Sequence, residues 1–134
     1  MASKPIAVAL FATVVALPAA AQSIRVEVYN NTAVDLCVDG KSQQDCVEVQ
    51  PTQTRRVAMR PRHWINFGME SHEYRLPKKL VDAYSKADSP PLKLQAESDG
   101  RLYLVPRNIS FPARPLPRQP SGFPLVPKRV VDLT

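Results

Sequence analysis

From Ile24 onward apolar and polar side chains alternate with period two, the spacing of strands that bury one face. In IRVEVY, Ile24, Val26 and Val28 point one way and Arg25, Glu27 and Tyr29 the other. Asn30-Asn31-Thr32 is turn chemistry. VDLCV then offers Val34, Leu36 and Val38 inward, with Asp35 and Cys37 outward. A polar loop from Asp39-Gly40 to Asp45 leads into CVEVQ, where Val47 and Val49 face inward and Cys46, Glu48 and Gln50 outward. TRRVAMR repeats the pattern with Val57 and Met59 inward. In HWINFGM, Ile65, Phe67 and Met69 share one side and Trp64, Asn66 and Gly68 the other, as in a strand covered on both faces. HEYRL is a further short strand. A turn over Gly68 to Ser71 sets Phe67 opposite His72 and His63 opposite Leu76.

One helix is predicted, from Lys78 to about Lys86, with Pro77 at its start and Leu80, Val81 and Tyr84 on one face. LKLQAE and RLYLV follow as a hairpin around Asp99-Gly100, with Leu92, Leu94, Ala96, Leu102 and Leu104 inward. From Pro106 the pattern changes. Residues 106–127 hold seven of the chain's 14 prolines, together with Arg107, Arg114 and Arg118. Such density forbids a helix or a central strand and leaves extended geometry. The closing RVVDLT regains alternation and fits an edge strand. These elements predict an all-β fold: a small antiparallel β-sandwich of immunoglobulin-like size over residues 22–105, with one short helix. A proline-rich basic arm occupies residues 106–134. The opening Ile-x-Val-x-Val-x-Asn-Asn-Thr resembles the first strands of exported sandwich domains in general and implies no particular family.

Residues 1–21 have a different character. Lys4 precedes an uncharged apolar run from Ile6 to Leu17, Pro18 breaks it, and Ala19-Ala20-Ala21 supplies small residues for cleavage before Gln22. That is the form of a cleavable secretory signal, and the run is too short to span a bilayer. The expected product is exported, periplasmic or secreted, without a transmembrane segment. In an oxidising compartment Cys37 and Cys46, both outward on one hairpin, are expected to form a disulfide.

Charge narrows the partners. The chain carries a formal +6, which becomes +5 once Lys4 leaves with the signal. An envelope protein or an anionic polymer fits this excess. Nucleic acid does not, because no Arg/Lys stripe interleaved with aromatics is present. No cofactor motif occurs, and two cysteines with two histidines fit no metal-ligand spacing. His63 and His72 are expected as surface or half-buried sheet residues. Glu27, Asp35 and Glu48 are expected on the outer face of the first sheet, with Asp35 opposite Glu48 and with Arg25 and Arg56 available for pairing.

The candidate binding residues are the outward aromatics Tyr29, Trp64 and Tyr103, with Arg107, Phe111, Arg114, Arg118 and Phe123 of the arm. Trp64 has a competing place between the sheets, where sandwiches commonly bury a lone tryptophan. The arm's apolar side chains require cover, so it is expected to lie along its own domain with a partly exposed edge. The function expected is a non-enzymatic binding module of the cell envelope. A secreted inhibitor of a hydrolase and a small metal- or His-dependent hydrolase are the alternatives.

Overall fold

The computed structural model describes residues 22–38 and 46–134; residues 1–21, where a secretory signal is expected, and the segment from Asp39 to Asp45 lie outside the described residues. Nine strands and one helix occur among the described residues: β1 (Ile24–Asn31), β2 (Leu36–Val38), β3 (Val47–Val49), β4 (Thr54–Met59), β5 (Arg62–Phe67), β6 (Glu70–Arg75), α1 (Lys78–Tyr84), β7 (Leu92–Glu97), β8 (Leu102–Val105) and β9 (Arg129–Asp132). They form two sheets, sheet A in the order β4-β1-β7-β8 and sheet B in the order β3-β2-β5-β6-β9. The chain is an all-β sandwich with one short helix.

Alternation explains the core directly. Ile24, Val26 and Val28 of β1, Leu94 and Ala96 of β7 and Leu102 of β8 line the inner side of sheet A. Leu36, Val38, Val49, Ile65 and Tyr74 line that of sheet B, and all of these are buried. Leu80 and Val81 of α1 join the same core. The helix ends two residues before the expected Lys86, where the Ser85 N–H closes on the Val81 carbonyl. Two apolar residues expected inward are exposed instead, because neither belongs to a strand: Val34 lies in the bend before β2 and Met69 in the β5–β6 turn.

Three pairings differ from expectation. The sandwich is not wholly antiparallel, since β1 and β7 run parallel, with Val28 beside Leu94. Parallel neighbours need a crossover, and here the chain makes the detour through sheet B and α1 before returning. The β5–β6 hairpin turns on Gly68 and Met69 alone, so Phe67 meets Glu70, Ile65 meets His72 and His63 meets Tyr74. Gly68 takes φ +58°, which a two-residue hairpin turn opening with glycine requires. In β2–β3, Glu48 faces Cys37 rather than Asp35.

Cys37 and Cys46 are joined, with their Cα atoms 5.3 Å apart. Cys46 stands diagonal to Cys37 across the ladder, on the side that carries Glu48. The bond therefore ties β2 to the start of β3 on the outer face.

Residues 106–128 wrap the outside of sheet A. Phe111 stacks on Tyr29 at 5.1 Å with the rings 9° from parallel, and the Lys93 ammonium lies 4.8 Å from its centre. Two glutamine side chains act in place of peptide groups. Gln95 of β7 donates to the Ala113 carbonyl (2.7 Å) and accepts from the Ala113 N–H (2.8 Å). In the reverse sense, Gln119 accepts from the Leu104 N–H (2.8 Å) and donates to its carbonyl (3.3 Å). Leu125 bonds Leu102 in both directions, at 3.0 and 2.9 Å. The outward polar groups of β8 at Leu102 and Leu104 are thus satisfied, and that edge of sheet A is closed. Beyond Pro127 the chain passes to sheet B, where β9 pairs antiparallel with β6.

Candidate functional site

The main polar constellation lies on the outer face of sheet B. Corrected pairing sets Trp64 opposite Glu73 and Arg62 opposite Arg75, and β9 brings Arg129 to the other side of Glu73. The Glu73 side chain is 1% exposed, although it points away from the core. Three long side chains cover it. The Arg62 Nε–H donates to Oε2, Arg75 Nη2 lies 3.7 Å from the same oxygen, and Arg129 Nε lies 3.5 Å from Oε1. Each guanidinium remains more than half exposed. Burial raises the Glu73 pKa, but the Arg62 hydrogen bond and the charges of Arg62, Arg75 and Arg129 outweigh it. The carboxyl therefore titrates below the ordinary glutamate value.

Trp64 completes the cluster. It is half-buried on this outer face, with the Arg129 guanidinium carbon 5.2 Å from its ring centre. The competing place between the sheets is thereby corrected: β5 turns His63, Ile65 and Phe67 inward, and alternation leaves Trp64 outside. One carboxylate against three guanidiniums gives the cluster a local charge of +2.

A depression of about 530 Å3 lies on the other part of the same sheet, lined by Asp35, Cys37, Cys46, Glu48, Asn66 and Met69 among others. Asn66 is buried, and its Oδ1 has no hydrogen-bond partner among the described residues. The three acids expected together are divided. Glu27 belongs to sheet A, where it accepts from Arg56 Nε at 3.1 Å, while Asp35 and Glu48 line the depression on sheet B.

The other predicted site residues are dispersed. Tyr29 is buried beneath Phe111, not exposed, because the arm covers the outward side of β1. The Tyr103 hydroxyl donates to Asp99 at 2.6 Å, which raises its pKa. Phe123 packs against the core. Arg107, Arg114 and Arg118 are exposed on the arm, on the sheet A side and away from the Glu73 cluster.

Both histidines are buried, contrary to expectation. His63 Nδ1 accepts from the Arg60 N–H at 3.3 Å. His72 stacks on Phe67 at 4.4 Å, and its Nε2 lies 3.1 Å from Glu70. Gly100, in the β7–β8 turn at φ +82°, packs directly on the imidazole; a Cβ there would lie 2.8 Å from His72 Cε1. Beside it the buried Tyr74 hydroxyl donates to the Gly100 carbonyl, and burial, with the Asp99 charge, pushes its pKa up. These contacts tie β6 of sheet B to a turn of sheet A. No group of three or more metal-ligating side chains occurs among the described residues.

The Glu73 cluster escaped sequence reading for a physical reason: its parts come from three strands, one of them beyond the arm. One signal was available. A two-residue turn at Gly68-Met69 sets Arg62 against Arg75, and like charges opposed across a hairpin are unfavourable unless an acid stands beside them. Comparison with known proteins finds no family model, curated protein or solved structure that matches the chain.

Proposed function

We propose that this chain is an exported, non-enzymatic binding module of the cell envelope that takes an anionic polymer on the outer face of sheet B. The carrying observation is the group of Arg62, Arg75 and Arg129 around the buried Glu73. Glu73 orients the three guanidiniums and neutralises only one, so two charges remain for an external anion. Guanidinium planes suit bidentate recognition of carboxylate, phosphate or sulfate, and the half-exposed indole of Trp64 supplies apolar contact beside them. The export signal, the disulfide and the basic balance support an extracytoplasmic setting.

The test is titration with linear polyphosphate at several salt concentrations. Replacing Arg75 and Arg129 by Gln should weaken binding by about fivefold for each charge removed, most clearly at low salt. Glu73→Gln should tighten it, because the neutralising charge is lost. If instead only Arg107, Arg114 and Arg118 variants lose affinity, the surface is the arm and the sheet B reading fails.

A further inference from the structure

The depression on sheet B is built on a row of outward side chains. Glu48 of β3 stands beside Cys37 of β2, and Cys37 beside Asn66 of β5, so the three share the outer face on adjacent strands. One step along the sheet, the Gly68 N–H donates to the Asp35 carbonyl at 3.0 Å, which holds Asp35 next to a residue without a side chain. The space above Gly68 opens the depression, and the Cys37–Cys46 bond fixes its β3 side. A volume of about 530 Å3 lies in the range of small-ligand sites.

Two independent features give this space a preference. Asp35 and Glu48 are exposed along it, and no basic side chain lines it among the described residues. The depression is therefore formally −2 on a chain of +6. Asn66 lines the same space, yet it is only 4% exposed, and its Oδ1 has no hydrogen-bond partner among the described residues. Alternation turns this side chain to the outer face, into the depression. A buried carbonyl without a donor is unfavourable and calls for an explanation. A ligand that brings the donor supplies one. The groups left for such a ligand are two carboxylates and an amide oxygen, and all are acceptors.

From this we infer that the depression binds a primary alkylammonium group, carried by a free diamine or by a lysine side chain. An ammonium has three N–H donors and no acceptor, which matches Asp35, Glu48 and Asn66 Oδ1. The sulfurs of Cys37 and Cys46 and the exposed Met69 thioether offer polarizable surface to its carbon stem. A divalent metal ion fits less well. Calcium takes roughly six to eight oxygen ligands and magnesium a strict octahedron. No group of three or more His, Cys, Asp or Glu side chains able to hold a metal occurs among the described residues. The site is separate from the Glu73 cluster, needs no anion and is independent of the polymer-binding reading.

Titration of the full chain, with its disulfide intact, against n-butylamine at low salt tests the site by isotope-edited NMR. Saturable shifts are expected at Cys37, Asn66 and Gly68, with a dissociation constant on the order of 1 mM. Diaminopentane and a blocked Gly-Lys-Gly peptide, titrated in parallel, separate the two sources, and the tighter of them names the natural ligand class. Asp35→Asn and Glu48→Gln should each weaken butylamine binding by about fivefold. Asn66→Leu should weaken it likewise while the melting temperature holds or rises, because an orphan acceptor leaves the interior. Should that variant fail to fold, the two acid variants decide. Tetramethylammonium, of equal charge but without an N–H, should bind about tenfold more weakly. The inference is overturned by the absence of saturable shifts, by binding indifferent to both Asp35→Asn and Glu48→Gln, or by equal binding of tetramethylammonium. Calcium that displaces butylamine at equal concentration assigns the site to a metal and overturns it as well.

Discussion

The outer faces of the two sheets solve the same problem in opposite ways. Both carry polar side chains that folding brings close together. Sheet A buries its own under the proline-rich arm, through backbone and apolar contacts: Gln95 is fully buried because Ala113 satisfies both ends of its amide, and Tyr29 is buried because Phe111 lies on it. Sheet B leaves its face open and groups charge around one carboxylate. Covering a face with backbone requires every amide to find a partner, and the two glutamines perform that service. Leaving a face open requires only that charges be mutually compensated, and Glu73 does this in part. The covered face is a structural surface, and the open face retains a charge excess toward solvent.

This contrast can be broken from either side, and the largest effect should come from sheet A. Truncation after Val105 removes Leu125, Phe111 and Phe123 together with β9. Their apolar burial, at ~25 cal/mol per Å2, implies a loss of about 5 kcal/mol, visible as a collapse of the thermal transition. Limited trypsin digestion gives the companion measurement: the bond after Arg118 should resist cleavage in the intact chain. If truncation leaves the melting temperature unchanged, the arm is an ornament and the comparison fails.

Next comes Gly100→Ala, which combines a left-handed φ with the His72 ring in the path of the new methyl group. A cost of about 2–3 kcal/mol is expected in denaturant unfolding. A neutral result would mean that His72 can swing away, and that the sheets are not fastened there.

Phe111→Ala should cost about 1–2 kcal/mol, from the lost stacking on Tyr29 and the cover lost from β7. It should leave polyphosphate affinity unaltered, because the charged cluster is on the other sheet. A parallel loss of affinity would show that the two faces are not separate.

The subtlest expectation concerns acid. Glu73 has a folded pKa below its ordinary 4.5. Its contribution is therefore fully present above 4.5 and is lost as pH falls through the lowered folded value. The melting temperature of the native chain should fall in that window more steeply than that of Glu73→Gln. Coincident slopes would remove Glu73 from the account.

How much of this was legible beforehand depended on distance along the chain. Period-two alternation from Ile24 to Leu104 located the strands, because each inward side chain needs only its own parity to be placed. The cysteine pair followed by the same logic. Pairings over long separations carried no such signal. The parallel union of β1 with β7 depends on where the α1 crossover lands, and alternation is blind to strand direction. Histidine burial was missed because His63 and His72 occupy inward positions, where parity rather than side-chain type decides exposure. The hairpin register was missed by treating Ser71 as turn material, a displacement that also hid the opposition of Trp64 to Glu73. Tyr29 and Gln95 have outward parity, and only a segment far along the chain makes them interior.

The order of the strands also governs when the fold can complete itself. The first strand, β1, lies inside sheet A and receives β7 only after Leu92 has been made; β6 receives β9 only at Arg129. A nascent chain that has not yet reached Arg129 would hold at least one strand with a vacant flank. Such contacts between distant residues slow the search for the native arrangement. The molecule is therefore prone to aggregate until β9 has been made, and a host that makes it in quantity should rely on holding factors until then.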